Sequence, residues 1–279
     1  MYCDFLLSVF CLQNVMKGLI NNGNTCYFNT AVQCLLYIPV LSNFFLRYPY
    51  DGACEFTKVY SDLVAIYWKN GKELINVKPL LESFRKKFPR FKTNEQHDVQ
   101  EAVLCIIDII EIACPDIKHW FYGKKIQETI WPDGKSSNEE DFSVHIITSS
   151  GNDMGDMLLK STDWNTLENF EDTDGKVHAI ATTRMVFSKM PQILMISFDA
   201  KSNVKIIENI LIDKYEYTLI SSAVHVGDQD DGHYVAFGKR KNTWFLLNDE
   251  SITEHTLPEE AGYYFMVYSL KTPSSECSP

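Results

Sequence analysis

The sequence predicts an α+β protein with a helical first half and a second half rich in β-strands. Before about residue 120, apolar residues recur at the three- and four-residue spacing of one helix face. After that point, short aromatic and β-branched runs are separated by turn residues, a pattern typical of antiparallel strands. Because the helices come first and do not alternate with the strands, the order favours α+β over a doubly wound sheet.

The first half begins with a loop and continues with amphipathic helices. Residues 18–25 are rich in Asn, Gly and Thr, which favour loops. The segment after this loop carries apolar residues on one face, and Pro39 is predicted to end it. Pro115 closes the most regular helix in the same way. The predicted helices are 26–37, 56–68, 77–88 and 98–114.

The second half is predicted to form an antiparallel sheet. Residues 142–148 alternate between apolar and polar side chains, and residues 193–198 form a continuous apolar run, so both are predicted strands. The acidic, polar segments 149–156 and 168–175 are predicted loops. The remaining predicted strands are 217–225, 232–237, 243–247 and 263–270.

Composition and charge narrow the possible functions. The chain has 279 residues, enough for one or two domains, and 45% of them are hydrophobic and 23% charged, as in ordinary globular proteins. Its formal net charge of −11 offers no general basic surface for nucleic acid. No apolar run reaches the roughly 18 residues that a membrane-spanning helix needs. We therefore expect neither a nucleic-acid nor a membrane partner. We also expect the chain to act as a monomer.

Cysteine usage indicates a reducing compartment and no metal centre. None of the eight cysteines forms a Cys-x-x-Cys pair of the kind that binds zinc. Most are expected to be buried thiols in the cytoplasm or nucleus, and we expect no metal or other cofactor. The apolar run 5–12 has the length of a signal-peptide core, but Asp4 precedes it where a basic residue belongs. We interpret this run as a first element that packs on the fold.

Cys26 stands at the predicted N-terminus of the first helix. Backbone N–H groups there lack helical partners and carry a partial positive charge. This position is expected to lower the pKa of the thiol and to favour the nucleophilic thiolate. The alternative is a small buried side chain, since cysteine is among the most buried residue types. The residues alone therefore leave a nucleophile and a structural thiol as the two interpretations.

A thiol nucleophile needs a base, and His233 is the candidate. It directly follows Gly232 at the start of a predicted strand, where it would be rigidly held and open to a cleft. The next predicted strand ends in Asn248 and Asp249. If the two strands pair, one of these side chains would lie beside His233 and orient its imidazole. The alternative for His233 is a structural histidine.

These candidates lie in segments that resemble the motifs of the ubiquitin-specific proteases. The segment GLINNGNTCYFN at 18–29 resembles their Cys box. Gly232-His233-Tyr234, preceded by Tyr217 and His225, resembles their His box. Three further segments resemble the family's region around the third catalytic residue, its central Gln-Asp-Gln-Glu motif and its closing strand: 244–249, 95–101 and 264–268. The motifs occur in the family's order and span nearly the whole chain.

The resemblance implies a papain-like fold shaped like a right hand, with the active site between a helical thumb and a palm sheet. It implies a cysteine-type deubiquitinase that hydrolyses the isopeptide or peptide bond after the C-terminal glycine of ubiquitin through an acyl-enzyme. Ubiquitin and ubiquitinated proteins would be its partners. The implied divisions are an N-terminal extension at 1–17, the thumb at about 18–118, the fingers at about 119–190, the palm at about 191–270 and a tail at 271–279.

Individual catalytic roles also follow from the resemblance. Cys26 would be the nucleophile and His233 the general base. Asn248 would be the third member of the triad and orient His233, while Asp249 would support the site and could share that role. The Asn21 side chain would stabilise the charge that develops on the scissile carbonyl oxygen.

Substrate-binding roles are implied for four further residues. Asp98 and Glu101 match acidic positions that grip the basic tail of ubiquitin, and Arg–carboxylate pairs are strong and directional. Asp98 is equally suited to cap its own helix, and both roles are compatible. Tyr234 would line the narrow channel around the two terminal glycines of ubiquitin, with Gly232 close by.

The sequence departs from the family pattern away from the catalytic residues. Many members carry two Cys-x-x-Cys pairs at the tip of the fingers, and none stands near residues 130–132 here. Short fingers stabilised by packing alone are therefore predicted. These departures put the affinity for the body of ubiquitin in doubt. Two alternatives stay open: a protease for a ubiquitin-like modifier and a non-catalytic ubiquitin-binding module.

Overall fold

The computed structural model describes most of the chain, in six segments. The apolar run 5–12, which is predicted to pack on the fold, lies outside them. Within the described segments, no single helix is long and apolar enough to cross a membrane, although two consecutive helices bent by 79° would be when taken together. The described residues are 16–71, 73–93, 95–148, 151–198, 203–227 and 232–271.

The first half is helical, as predicted. Helix boundaries differ from the predicted ones by only one residue at most ends. Two helices of this half were not predicted. One is the short helix at Lys118–Phe121. The other follows Pro39, which ends the first helix but also begins the next, because proline suits the first turn of a helix. The helices are α1 Cys26–Leu36, α2 Pro39–Arg47, α3 Glu55–Tyr67, α4 Lys78–Lys87, α5 Val99–Ala113 and α6 Lys118–Phe121. Short 3₁₀ turns lie at Pro89–Lys92 and Pro115–Ile117.

Helix α1 lies at the centre of the molecule. All of its residues are buried, so it is covered on every side rather than along one face. It packs against α5 within the helical half and against the strands of the large sheet described below. Cys26, the first residue of α1, therefore lies where the helical half meets the sheet.

A four-stranded antiparallel sheet follows the helices. Its strands have the spatial order β2-β1-β5-β4. The prediction of a loop at 168–175 is wrong over its first part, because β4 extends to Glu171. Most side chains of β2 and β4 are exposed, so neither strand carries a clear apolar alternation. The strands are β1 Gly123–Trp131, β2 Gly134–Phe142, β4 Asn165–Glu171 and β5 Val177–Lys189.

A larger sheet forms the rest of the molecule, with the order β12-β11-β10-β9-β14-β6-β3 and with β8 pairing on β9. It is antiparallel except for β3, which pairs parallel with β6. Strands β7 Val204–Lys205 and β13 Glu260–Ala261 form a separate pair. The large-sheet strands are β3 Val144–Ile147, β6 Ile193–Phe198, β8 Asn209–Ile212, β9 Tyr215–Gly227, β10 Gly232–Arg240, β11 Thr243–Asn248, β12 Ser251–His255 and β14 Tyr263–Leu270.

Two further predictions are wrong in part, and both concern the segment that contains β3 and α7. The predicted loop 149–156 is partly helical, because α7 Met154–Thr162 begins within it. Asp153 caps this helix by accepting bonds from the N–H groups of Gly155 and Asp156. Strand β3 falls inside the predicted finger range 119–190 but joins the large sheet, so that range contains more than the small sheet.

An aromatic and ionic cluster packs the outer end of the four-stranded sheet. The nearly buried His178 ring contacts carboxylates on both sides, with Nε2 at 2.7 Å from Asp172 and Nδ1 at 3.4 Å from Asp133. The rings of Trp131 and Phe170 lie 5.4 Å apart beside it. Within the described residues, no group of three or more His, Cys, Asp and Glu side chains is arranged to hold a metal ion. Packing and hydrogen bonds therefore stabilise this end of the sheet.

We expect the protein to keep its fold and its activity in a strong chelator. Removing a structural metal would unfold the region that it holds, and the contacts just described need no metal. Melting temperature and activity measured with and without EDTA test this expectation. Stoichiometric zinc in the purified protein, lost together with activity on chelation, would contradict it.

Stability is expected to fall as the pH drops from 6.5 towards 4, because of His145. Burial, assisted by nearby Lys125, lowers the pKa of His145 from 6.5 to about 4. Between these values the unfolded chain binds a proton that the folded chain does not, so the contribution of neutral His145 is complete above pH 6.5 and is lost below it. The shift corresponds to roughly 3 kcal/mol in the free energy of unfolding.

Urea unfolding at a series of pH values tests the role of His145. His145→Gln should flatten the dependence between pH 4 and 6.5, whereas His119→Gln, at an exposed position, should leave it unchanged. Equal pH dependence in the wild type and His145→Gln would contradict the assignment.

Candidate active site

The loop before α1 is hydrogen-bonded to the turn after β11 and packs closely against it. The Leu19 N–H donates to the backbone oxygen of Asp249 at 2.8 Å. Gly18 lies so close to the Glu250 backbone that an added Cβ would stand 2.2 Å from its oxygen. Only glycine permits this approach. The loop before α1 and the turn after β11 thereby meet beside the start of α1.

Cys26 is buried, with 2% of its surface exposed, and its thiol lies next to the strand that carries His233. The Tyr234 backbone N–H, one residue beyond His233, hydrogen-bonds to the thiol. The predicted lowering of the thiol pKa is wrong in direction. Burial raises the pKa of Cys26, and the nearby Asp249 carboxylate adds to that rise. The N–H groups of Tyr234, Tyr27 and Cys26 oppose it but are outweighed.

His233 and Asn248 contact each other across neighbouring strands. Strands β10 and β11 pair antiparallel with Ala236 opposite Leu247, so both site residues lie at the same end of the pair. His233 Nε2 lies 2.7 Å from Asn248 Oδ1. Because an amide oxygen only accepts, this bond places a proton on Nε2 and leaves Nδ1 as the basic nitrogen.

Asp249 reaches the same site from the turn that ends β11. The strand stops at Asn248, and Asp249 has a left-handed backbone with φ of 48°. The strict alternation of a strand therefore no longer separates the two side chains. Asp249 Oδ2 lies 3.9 Å from His233 Nε2, farther than Asn248. The structure thus brings both candidates for the third residue to the imidazole, with Asn248 in direct contact.

The Asn21 side chain is held at both ends. Its Oδ1 accepts from the Gly23 N–H at 2.9 Å and from the Thr25 hydroxyl at 3.1 Å. Its Nδ2 donates to Asp249 Oδ2 at 2.7 Å. The backbone between these partners turns through left-handed conformations at Gly23 and Asn24, which Gly and Asn adopt most readily. The amide group is therefore fixed at the start of α1.

Asp98 and Glu101 lie together at the start of α5, and both already have partners within the chain. Asp98 caps α5 by accepting from the Glu101 N–H at 2.9 Å, which confirms the capping alternative, and it also accepts from the Tyr264 hydroxyl. Glu101 contacts Arg90 Nε at 2.5 Å. Any basic ligand for Glu101 would compete with this arginine.

Tyr234 and Gly232 lie on β10, on either side of His233. Tyr234 is 1% exposed, and its ring packs edge-on against His225 at 4.9 Å between centroids. Burial raises the pKa of Tyr234. The backbone oxygen of Gly232 accepts a bond from the Gln96 side chain. This bond ties the loop before α5 to the strand that carries His233.

Sequence reasoning did not single out three residues that contact the site. Asn29 donates to Asp249 Oδ1 at 2.7 Å, and Glu250 accepts the Asn21 backbone N–H at 2.9 Å. Gln96 is the third, through its contact with Gly232. Asn29 had a detectable signal, since it lies one turn after Cys26 within the segment 18–29 that resembles the Cys box. Glu250 and Gln96 lie in loops, where sequence periodicity carries no signal, although Gln96 falls within the segment 95–101 that resembles a family motif.

The sequence of the chain matches a known protein family. The model of the family described as ubiquitin carboxyl-terminal hydrolase matches residues 17–268, which is nearly all of the chain. The chain belongs to this family. Cys26, His233 and Asn248 all lie within the matched range.

Relatives within the ubiquitin carboxyl-terminal hydrolase family are distant and longer. Ubiquitin carboxyl-terminal hydrolase 5 of Arabidopsis thaliana is 27% identical over 133 residues, covering 44% of this chain and 14% of that protein. Ubiquitin carboxyl-terminal hydrolase 7 of Drosophila melanogaster is 24% identical over 273 residues, covering 85% of this chain and 24% of that protein. The chain thus spans less than a quarter of the length of these curated relatives.

A solved structure shows that the fold is also that of this family. The SAGA DUB module that contains Ubp8, bound to monoubiquitin, superposes with a TM-score of 0.77 at 18% identity. The match covers 92% of this chain and 69% of that one. The predicted α+β, right-hand architecture is confirmed. From here on, the thumb denotes helices α1–α6, the fingers the four-stranded sheet and the palm the large sheet.

Proposed function

We propose that the chain is a deubiquitinase that hydrolyses the isopeptide or peptide bond after the C-terminal glycine of ubiquitin. Membership of the ubiquitin carboxyl-terminal hydrolase family supports this class of reaction. The observation that carries the proposal is the 2.7 Å contact between His233 Nε2 and Asn248 Oδ1, beside the buried thiol of Cys26. A thiol, an imidazole and an amide in this order form the Cys-His-Asn arrangement of papain-like proteases.

The first half of the proposed reaction makes an acyl-enzyme. Cys26 Sγ attacks the carbonyl carbon of the terminal glycine while His233 Nδ1 takes the thiol proton. Because burial raises the pKa of this thiol, proton removal accompanies the attack rather than preceding it. The C–N bond then breaks, the imidazolium returns its proton to the leaving amine, and a thioester to Cys26 remains.

The second half regenerates the free enzyme. Water attacks the thioester carbonyl carbon as His233 Nδ1 takes one of its protons. The C–S bond breaks, and the proton on His233 passes to Cys26 Sγ. Ubiquitin leaves as a carboxylic acid that carries the second proton of the water and then loses it to solvent. Asn248 keeps the imidazole in the tautomer that both steps need, by accepting the Nε2 proton.

Asn21 is the proposed donor to the oxyanion in both steps. One hydrogen of its NH₂ group is engaged by Asp249, and an amide carries a second. The Cys26 backbone N–H, at the start of α1, is a second proposed donor to the same oxygen. One such donor is worth about 3–4 kcal/mol in the transition state.

Substrate recognition is proposed to involve the mouth of the cleft. Asp98 and Glu101 would bind the basic tail of ubiquitin, Glu101 by exchanging Arg90 for an arginine of the substrate. Gly232 and Tyr234 would flank the terminal glycines. Ubiquitinated proteins would be the substrates.

The setting is proposed to be the cytoplasm or nucleus, with the chain acting as a monomer and without nucleic-acid or membrane partners. The proposed catalytic groups all belong to one chain, so the proposed reaction needs no second subunit. The cysteines that the structure describes are free thiols, as reducing compartments favour.

Turnover of matched substrates tests this proposal against its rivals. The same fluorophore is attached to the C-terminus of ubiquitin and of several ubiquitin-like modifiers, and kcat/KM is measured for each. We expect hydrolysis of the ubiquitin substrate. Hydrolysis of another modifier alone would favour the modifier protease, and ubiquitin binding without hydrolysis would favour the binding module.

A further inference from the structure

Asn29 is a buried polar residue on α1 that the proposed reaction does not use. It is 2% exposed and lies one turn after Cys26. Its Nδ2 donates to Asp249 Oδ1 at 2.7 Å and lies 3.4 Å from the backbone oxygens of Leu19 and Ile20. The short bond to a carboxylate is the dominant contact, because charge-assisted hydrogen bonds are about twice as strong as neutral ones.

The oxygen atom of the Asn29 side-chain amide, Oδ1, is buried, and no described residue donates a hydrogen bond to it. A buried carbonyl without a hydrogen bond lowers the stability of the fold. An apolar side chain of similar size would avoid this cost on a helix whose residues are all buried. The stability of the core therefore does not account for asparagine here, whereas the contact of its NH₂ group with Asp249 does.

The two oxygens of Asp249 are shared between two amides. Asn29 engages Oδ1 and Asn21 engages Oδ2, each at 2.7 Å. The Asp249 backbone is in the left-handed region and outside β11, so no strand fixes the direction of its side chain. A carboxylate that is held on one oxygen presents the other in a fixed direction. By holding Oδ1, Asn29 therefore fixes the position of Asp249 Oδ2, the oxygen that accepts the hydrogen bond from Asn21.

We propose that Asn29 is a positioning residue for the oxyanion donor: it holds Asp249, and Asp249 in turn holds the amide of Asn21 towards the reacting carbonyl. The catalytic part of this inference rests on the proposed function. The structural part, coupling of Asn29 to the Asn21 side chain through Asp249, does not depend on any substrate.

Two variants of Asn29 and a matched control separate positioning from stability. Asn29→Ala removes the donor, and Asn29→Asp keeps the shape but replaces the donor by an acid. Gln33→Glu is the control, because Gln33 is another buried amide on α1 and contacts Lys17 and Tyr67 rather than Asp249. Melting temperatures show which variants fold, and Asn29→Asp serves if Asn29→Ala does not.

The kinetic arm measures kcat and KM on the fluorogenic ubiquitin substrate. We expect Asn29→Ala to lower kcat about 10- to 100-fold, less than the loss of an oxyanion donor itself, with KM nearly unchanged. Combining it with Asn21→Ala should cost less than the product of the two separate losses. The kcat of Asn29→Asp relative to the wild type should rise as the pH falls, because a protonated acid donates to Asp249. Gln33→Glu should keep the wild-type kcat.

The second arm needs no substrate and reads the Asn21 side-chain amide by NMR. Asn29→Ala should shift its NH₂ resonances and speed their exchange with water, and Gln33→Glu should leave them in place. Unmoved Asn21 resonances, or a wild-type kcat in Asn29→Ala, would overturn the inference. If the wild type does not hydrolyse the ubiquitin substrate, the proposed function is wrong. The NMR measurement still tests whether Asn29 is coupled to the Asn21 side chain through Asp249.

Discussion

Cys26→Ser is expected to abolish turnover while leaving ubiquitin binding intact. A hydroxyl is a far weaker nucleophile than a thiol at neutral pH, and replacing one atom leaves the buried site almost unchanged in shape. We expect kcat to fall by at least about 10⁴-fold, as when a catalytic triad loses a member. Steady-state kinetics with the fluorogenic substrate, together with a binding assay, measure the two effects.

A second cysteine provides the control for this experiment. Cys54→Ser, at a half-buried position of the thumb next to α3, should keep turnover near the wild-type value. Turnover by Cys26→Ser at the wild-type rate would contradict the assignment of Cys26 as the nucleophile. Loss of ubiquitin binding together with turnover would instead show that the substitution disturbs more than the chemistry.

Asp249→Ala is expected to lower kcat at least as much as Asn248→Ala. Asn248 makes the direct bond to His233, and losing it removes the orientation of the ring, for which we expect a loss of about 10- to 10³-fold. Losing Asp249 removes a negative charge 3.9 Å from the ring and also frees the amide of Asn21. A loss of roughly 10³-fold is therefore expected for Asp249→Ala.

The double variant Asn248→Ala/Asp249→Ala tests whether Asn248 and Asp249 act on the same group. If both act through His233, their combined loss should be smaller than the product of the separate losses. We expect KM to change little in all three variants, since neither side chain is assigned to substrate binding. If Asn248→Ala is silent while Asp249→Ala is nearly inactive, the principal third residue is Asp249 and the direct contact is not the important one.

The thumb helices and the central palm strands could be predicted because burial gives them a periodic pattern. Helix α5 carries apolar residues on one face, and β6 is buried along its whole length. The finger strands could not be predicted in the same way, since β2 has a single buried side chain, at Phe142. Pairing with β1 rather than burial creates that strand, and the pairing is a long-range property.

Candidates for the catalytic residues could be named from the sequence, but the electrostatics around them could not be predicted from it. The motifs indicated Cys26, His233 and Asn248 as a set; the structure places His233 2.7 Å from Asn248, and the N–H of the next residue, Tyr234, at the Cys26 thiol. The direction of the Cys26 pKa shift depends on burial, which a helix N-terminus alone does not reveal. The contacts of Asp249 with two amides depend on one backbone angle in a turn, and no residue pattern encodes that angle.

Covalent trapping tests the central claim most directly. The protein is mixed with ubiquitin that carries a C-terminal electrophile, and the adduct is located by mass spectrometry of its peptides. We predict a single stoichiometric adduct on Cys26, formed by the wild type and by Cys54→Ser and absent from Cys26→Ser. An adduct on another cysteine, or none on a folded protein, would contradict the proposal that Cys26 is the nucleophile of a deubiquitinase.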